Sequence, residues 1–243
     1  MNEVKDFETL ISEEVALLLE LPLTREKIQI FSKNNYEEYR ELRHYRLKEQ
    51  SVLIVPPSLI EKAIRAIRKS NYNRVDLLEY LKKSLDLSNH RFTDETAFLF
   101  LDPKNYSSAS LDSTYEISEI EDTMIDVFEI FANECSQEDL DEGLVSLDDS
   151  LVFGCFYKDK LVGVASYWFL TDHLADIGVI IHPDYRKKGI GKALVSRLSQ
   201  WGMNHGKLNM YRHDRNNKIS GQLALALGFE EYIELKIIKE LKC

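Results

Sequence analysis

The stretch from Ile177 to Gly191 constrains this chain more than any other. An apolar run, Ile177-Gly178-Val179-Ile180-Ile181, meets a turn, His182-Pro183-Asp184-Tyr185. Arg186-Lys187-Lys188-Gly189-Ile190-Gly191 then opens a helical pattern reaching about His205. A strand, a Gly-bearing turn and a helix start together form a cradle for a pyrophosphate. The first amides of a helix have no partner within it, and the helix dipole favours an anion there. Gly189 and Gly191 lack a Cβ, so anionic oxygens can approach their amides. Arg186, Lys187, Lys188 and Lys192 add positive charge beside that cradle. Away from a Gly-x-Gly turn the same basic run would read as an ordinary solvated turn.

The chain has 243 residues, 44% of them hydrophobic, enough for one large domain or two small ones with a real core. Its formal net charge is -10, which argues against nucleic acid as a general partner. An acidic surface would attract a cationic substrate such as an amine, although many cytosolic proteins are equally acidic. No stretch approaches the roughly 20 apolar residues of a membrane span, and the first residues lack a basic start and apolar core. The expectation is a soluble cytoplasmic protein with no membrane partner. Cys135, Cys155 and Cys243 are scattered, and neither they nor His205 and His213 show metal-ligand spacing. Cys155 sits in an apolar strand with no basic neighbour and reads as a small buried hydrophobe.

In the N-terminal half, Phe7, Leu10, Ile11, Val15, Leu18 and Leu19 recur at helical spacing, as do Tyr36, Tyr39, Leu42, Tyr45 and Arg46. Ser51 to Val55 reads as a strand stopped by Pro56-Pro57. Ser58 with Glu61 three residues on predicts a capped helix, another helix is expected from about Arg74 to Leu85, and Thr96 to Leu101 reads as a buried strand. Asp102 to Ser113, with Pro103, Asn105 and a Ser-rich run, is the linker candidate. Beyond it a short strand is expected at Tyr115 to Ile117, with helices from Ile120 to Ala132 and Gln137 to Val145. Strands at 151–157 and 161–169 flank the hairpin turn Lys158-Asp159-Lys160. A strand to Ile181, a helix from Gly189, a strand at 208–211, a helix at 217–227 and a strand at 230–239 follow. The class is α/β (α+β): a mixed, mostly antiparallel sheet flanked by helices, with a helix-rich N-terminal part.

Two motifs sit in that order. Arg-x-x-Gly-x-Gly follows a strand at 186–191. Asn217-x-x-Ser220-x-x-Leu223 precedes Leu227-Gly228-Phe229. Either alone is weak. Together, about 25 residues apart and among these elements, they make residues 113–243 closely resemble the GNAT superfamily of acetyl-CoA-dependent N-acetyltransferases. The expected division is therefore 1–101 as a part of unassigned role, 102–113 as linker and 114–243 as the acetyltransferase domain. The resemblance implies acetyl-CoA as cosubstrate, no metal, and direct attack of a primary amine on the thioester. It places the pantetheine arm along Val179, Ile180 and Ile181 and the pyrophosphate on Arg186, Lys187, Lys188, Gly189, Ile190, Gly191 and Lys192. Further coenzyme contacts fall to Asn217 and Ser220.

Amine acetylation needs a base for the protonated acceptor, donors for the developing oxyanion and an acid for the departing thiolate. Asp176 is the base candidate, where some relatives carry an acidic residue on this strand; an ordinary strand carboxylate is the equal alternative. A backbone amide near Ile180 is the expected oxyanion donor. Many relatives carry a Tyr after the Leu of the second motif, where this chain has Ala224. Tyr211 and Ser220 are the candidate substitutes, with core packing and helix-start stabilisation as their simpler roles. His182 reads as a turn residue. His173 reads as structural, with facing the acceptor cleft as its alternative, and one of Tyr167 and Trp168 faces each side of the sheet.

The alternation in 1–101 resembles an incomplete version of the same fold, suited to walling an acceptor cleft or supporting a homodimer. A small-molecule or peptide amine is the expected partner. The alternative function is a non-catalytic acyl-CoA-binding sensor, motivated by Ala224. A dinucleotide-binding domain is disfavoured, because no acidic residue closes a second parallel strand about 20 residues on.

Overall fold

The computed structural model describes residues 6–36, 40–48, 50–69 and 77–240. The described chain opens with α1 (Phe7–Leu19), β1 (Ile28–Ser32), β2 (Leu42–Leu47), β3 (Ser51–Val55), α2 (Ile60–Arg68), α3 (Leu77–Ser84) and β4 (His90–Phe100). It continues through β5 (Tyr115–Glu119), α4 (Ile125–Asn133), α5 (Gln137–Gly143), β6 (Leu151–Tyr157), β7 (Lys160–Phe169) and β8 (Leu174–Ile181). The last elements are α6 (Ile190–Asn204), β9 (Leu208–Asp214), α7 (Lys218–Leu225) and β10 (Glu230–Glu240). The architecture is the expected mixed α/β one. No described helix is long and apolar enough to cross a membrane.

The expected helix around Tyr36 to Arg46 is instead strand β2. Leu42, His44, Tyr45 and Leu47 are all buried, and β2 is bonded on both sides. It pairs antiparallel with β3 (Tyr45↔Val52) and with β10 (Tyr45↔Leu235). Apolar residues three apart imitate a helix stripe, but two ladders of backbone hydrogen bonds override a local preference of a few tenths of a kcal/mol per residue. Tyr39, Cys243 and the expected helix start at Arg74 lie outside the described residues. Ser58 sits inside a single 3-10 turn, Pro57–Leu59, and the residue at the N-cap of α2 is Leu59, which has no polar side chain.

Contacts divide the chain into two compact units. The first joins residues up to Leu19 with Leu99–His213 and Asn217–Glu230; the second joins Glu20–Phe98 with Asp214–Asn216 and the chain from Glu231. This division runs differently from one made at 102–113. The segment 102–113 is tied into the first unit rather than stretched as a spacer. Tyr106 Oη lies 2.8 Å from Ser196 Oγ on α6, Ala109 N donates to the same oxygen at 2.9 Å, and Ser107 N donates to Leu227 O at 3.0 Å.

The second unit orders its strands β1-β3-β2-β10-β4. All five residues of β3 are buried, as a central strand requires. Leu53, Val55, Leu77, Leu81 and Ile238 form its core.

The first unit orders its strands β5-β6-β7-β8-β9. Strands β5 to β8 are antiparallel neighbours, and β9 is parallel to β8. The β6–β7 hairpin closes at Tyr157↔Lys160, with Lys158 at φ 57 in the left-handed conformation that such a tight turn demands. One sheet face packs Val164 and Ile180 against Phe131 of α4 and Ile120. The other meets α6, whose Ile190, Leu194 and Leu198 recur at helical spacing and are buried. Tyr167 crosses beneath α6 and donates its buried hydroxyl toward Leu198 O at 2.9 Å, with Asn209 as a second partner.

Candidate active site

The site is built where β8 and β9 part. Their pairing runs from Leu174↔Leu208 to Ile177↔Tyr211 and stops. Yet β8 continues to Ile181, and β9 to Asp214. Beyond Ile177, β8 remains paired with β7, through Ile180↔Val164 and Ile181↔Gly163. The alternate N–H and C=O groups of 178–181 that point the other way face the fork rather than a strand. This open edge is where Val179, Ile180 and Ile181 were expected to meet an extended ligand, and it contains the backbone near Ile180 expected to supply an oxyanion donor.

The turn after β8 delivers the helix start to the same fork. His182 accepts from Asp184 N through Nδ1 at 3.1 Å and caps a 3-10 turn, Pro183–Tyr185, which makes it a turn residue. Lys187 (φ 61) and Gly189 (φ 83) both adopt left-handed backbone. A Cβ on Gly189 would find only Leu111, at 3.8 Å, so conformation rather than crowding calls for glycine there. Ala193 N makes the first helical bond, to Gly189 O at 3.0 Å. The amides of Ile190, Gly191 and Lys192 precede it, and no side chain caps them. They are the donors an anion would need. Gly191 has a different reason to be small, since a Cβ there would lie 3.0 Å from Leu223 Cδ1 and 3.5 Å from Ile181 Cγ1.

A cleft of about 460 Å³ unites these parts. Val179, Ile180, Ile181, Arg186 and Lys187 line it, as do Gly189, Ile190, Gly191 and Lys192. Tyr211, Asn217 and Ser220 line the wall formed by β9 and α7. Lys188 does not line the cleft; its Nζ sits 4.4 Å over the Tyr185 ring.

Arg186 is bound in place. Its Nη2 lies 2.6 Å from Asp139 Oδ1 on α5, and its Nε donates to Ile181 O at 3.3 Å. Burial opposes the charge of Asp139, but hydrogen bonds from Ser136 and Arg186 hold its carboxyl below the usual range. Asn217 caps α7 through Oδ1, which accepts from Ser220 N at 3.1 Å, and its Nδ2 donates to Glu142 Oε2 at 2.8 Å. Tyr211 is 2% exposed, and its hydroxyl is 2.9 Å from Ser220 Oγ. Burial lifts the Tyr211 pKa, the Ser220 contact opposes this, and Asp176 adds to the rise.

Asp176 departs from expectation. It is not among the residues lining the cleft. It is 4% exposed, and its Oδ2 accepts from Arg212 Nε at 2.7 Å and again from Nη2. Arg212, not Asp176, reaches the cleft. Burial raises the Asp176 carboxyl, with Arg212 opposing. Strand alternation explains the placement: Asp176 shares its face with Gly178 and Ile180, and the backbone of Gly143 and Leu144 covers Gly178 so closely that a Cβ there would strike their carbonyls. His173 is exposed in the turn before β8. Tyr167 is buried and Trp168 is 54% exposed, on opposite faces. Cys155 is buried, which pushes its thiol up to about 11 and suits packing rather than attack.

Asp139, Glu142 and Arg212 are among the cleft residues to which the sequence reading gave no role. The acidic run Glu138-Asp139-Leu140-Asp141-Glu142 was a visible signal, but nothing local says that it faces a basic turn.

The family model described as Acetyltransferase (GNAT) family matches residues 114–229. That segment is similar to the GNAT acetyltransferase family. An acetyltransferase from the GNAT family of Colwellia psychrerythraea superposes with a TM-score of 0.53 at 16% identity, covering 78% of this chain and 76% of that one. A GCN5-related N-acetyltransferase from Kribbella flavida gives 0.51 at 12% identity, covering 67% and 64%. Both share the fold. The aminoglycoside N(6')-acetyltransferase type 1 of Salmonella typhimurium is 36% identical over 55 residues, which are 22% of this chain. The match spans 38% of that relative's length. The fork, the turn and the start of α6 all fall inside 114–229.

Proposed function

We propose that the GNAT-like domain transfers an acetyl group from acetyl-CoA to a primary amine. One observation carries this reading. The strand pairing ends at Ile177↔Tyr211 in the same cleft that receives the uncapped amides of Ile190, Gly191 and Lys192. An open strand edge suits an amide-bearing arm, and an uncapped helix start suits a diphosphate at its end. Lys187 and Lys192 add charge from the cleft wall.

Acetyl-CoA supplies the activated acyl group and a thiolate leaving group. The chain supplies position and protons. The open edge of β8 holds the acyl end against the fork, so the amine meets a fixed carbon. A backbone amide of the 178–181 stretch donates to the oxygen that gains charge. Ser220 Oγ donates a proton to the departing sulfur, Tyr211 Oη donates to Ser220 in turn, and a proton from water, equivalent to the one the amine gives up, restores Tyr211. Burial keeps the Tyr211 proton on oxygen until it is needed. Asp176 holds Arg212 at the cleft rather than touching the amine, and the acceptor enters as free amine or loses its proton to water.

The acceptor is a small-molecule amine in this reading. The aminoglycoside acetyltransferase relative supports that class over its 55 matched residues, and the acidic balance of the chain agrees with it. The test incubates purified protein with acetyl-CoA and a panel of aminoglycosides, polyamines, amino acids and short peptides, following free thiol and acetylated product by mass. Amine-dependent thiol release supports transfer. The buried Ala224, where a proton donor is common among relatives, favours a second reading as an acyl-CoA sensor. Tight coenzyme binding with no thiol released across the panel would select it.

A further inference from the structure

Two groups that the GNAT resemblance assigns to the coenzyme, Arg186 and Asn217, are each held by a carboxylate of the same short helix. Asp139 takes Arg186 at 2.6 Å, and Glu142 takes Asn217 at 2.8 Å. Asp139 and Glu142 are three residues apart, so they project from neighbouring positions on one face of α5. Both line the cleft. Their contacts reach the basic turn and the N-cap of α7.

We propose that Asp139 and Glu142 are internal stand-ins for the coenzyme, which must displace Asp139 to bring its diphosphate onto Arg186 and Glu142 to bring its pantetheine arm onto Asn217. This inference rests on the acetyl-CoA reading above. Three further observations support it. A diphosphate presents to a guanidinium, and a carbonyl of the arm to an amide N–H, the acceptor chemistry of the two carboxylates. The first-turn amides of α6 have no such stand-in, so an incoming anion has donors to bind before either carboxylate leaves. The contacts are also weak enough to exchange. Arg186 and Asp139 side chains are 45% and 28% exposed, and exposed ion pairs contribute only about 0.2–1 kcal/mol. Further contacts hold α5, although the Ser136 hydroxyl also donates to Asp139. Ser136 caps its start, Gln137 Nε2 donates to Asp141 at 2.8 Å, and Gly143 packs on Ile180. Displacement therefore moves two side chains without unfolding the helix. The consequence is a built-in brake on coenzyme affinity, with Asp139 acting against the diphosphate and Glu142 against the arm.

The experiment measures calorimetric Kd values for CoA and for pantetheine, which lacks the diphosphate. The proteins are the wild type, Asp139→Asn, Glu142→Gln, the double variant and Glu138→Gln. Glu138 is an exposed acid of the same helix that does not line the cleft. Each single variant is expected to tighten CoA by roughly 1.5- to 5-fold, the size of one exposed pair. The double variant should tighten it by about 3- to 10-fold, with Glu138→Gln within 1.5-fold of wild type. Pantetheine affinity should stay constant in Asp139→Asn and tighten only where Glu142→Gln is present. Unchanged or weaker CoA binding in the double variant overturns the proposal, as does a gain by pantetheine in Asp139→Asn or an equal gain by Glu138→Gln. Thermal melts of each variant detect unfolding, and Asp139→Glu with Glu142→Asp, which keep the charge, should bind CoA as the wild type does. Absence of CoA binding by every protein would sink the acetyl-CoA reading itself. Binding by the wild type with no gain in the double variant would sink only the stand-in role.

Discussion

The hydroxyls of Tyr211 and Ser220 lie 2.9 Å apart, and both residues line the cleft. In the proposed mechanism this pair takes the place of the tyrosine that many relatives carry where this chain has Ala224. Tyr211→Phe keeps the ring and its edge contact with Phe229, centroids 5.9 Å apart, and removes only the proton source. The expected outcome is a fall of about 10- to 100-fold in kcat, the lower range for one general acid. Acceptor KM and coenzyme Kd should stay within twofold. Steady-state kinetics with calorimetry checks it, and an unchanged kcat would return Tyr211 to a packing role.

Asp176 and Arg212 are expected to behave as one unit. Asp176→Ala leaves a guanidinium without its carboxylate, and Arg212→Ala leaves a buried carboxylate without its guanidinium. A double-mutant cycle in denaturant should show a coupling of about 1–3 kcal/mol. A value near zero would contradict the pairing.

The raised Asp176 pKa fixes a sign. Its charged form is disfavoured in the fold, so that cost is present above the folded pKa and disappears as pH falls through it towards the unfolded value. The stability of wild type relative to Asp176→Asn should therefore increase as pH is lowered from 7 towards 4. A difference that is flat or moves the other way would contradict the stated environment.

Charge at the helix start can be separated from its shape. Lys192→Glu changes the potential at the first-turn amides and should weaken CoA at least tenfold with little change in melting temperature. Gly189→Ala meets no crowding but must hold φ 83, at about 1 kcal/mol of strain. It should lower the melting temperature by about 2–4 °C. Gly191→Asp would lose on both counts, because its new side chain points at Leu223 and Ile181. Melting curves and calorimetry on the three variants separate these effects.

Gly202 tests the packing beneath the site. A Cβ there would lie 2.5 Å from Asn209 Oδ1 and 2.6 Å from Tyr167 Oη, inside the buried hydroxyl network. Gly202→Ala should destabilise by about 1–3 kcal/mol, despite the better helix propensity of alanine. A stabilised variant would mean that the Tyr167 network yields easily.

The legible parts of this fold were those whose signals are local. The hairpin at Lys158, the stripe of α6 and the glycine turn all announce themselves within a few residues. Strand β2 did not, because Leu42 and Tyr45 imitate a helix stripe while their partners Ile238 and Leu235 are far away in sequence. The same holds in the site. The residues of the turn and of α7 could be read from two motifs, and they gather in one cleft. Asp176 was legible as a strand carboxylate, but its orientation depends on Arg212 and on the α5 backbone covering Gly178. Asp139 and Glu142 meet partners on the basic turn and α7 that no local pattern reveals.

The most direct measurement is the structure of crystals grown with CoA. The diphosphate should lie within hydrogen-bond distance of the Ile190, Gly191 and Lys192 amides, with the pantetheine arm along residues 178–181 and the sulfur near Ile177 and Ser220. CoA bound elsewhere, with the fork between β8 and β9 filled by side chains, would contradict the assignment of this cleft to acyl transfer.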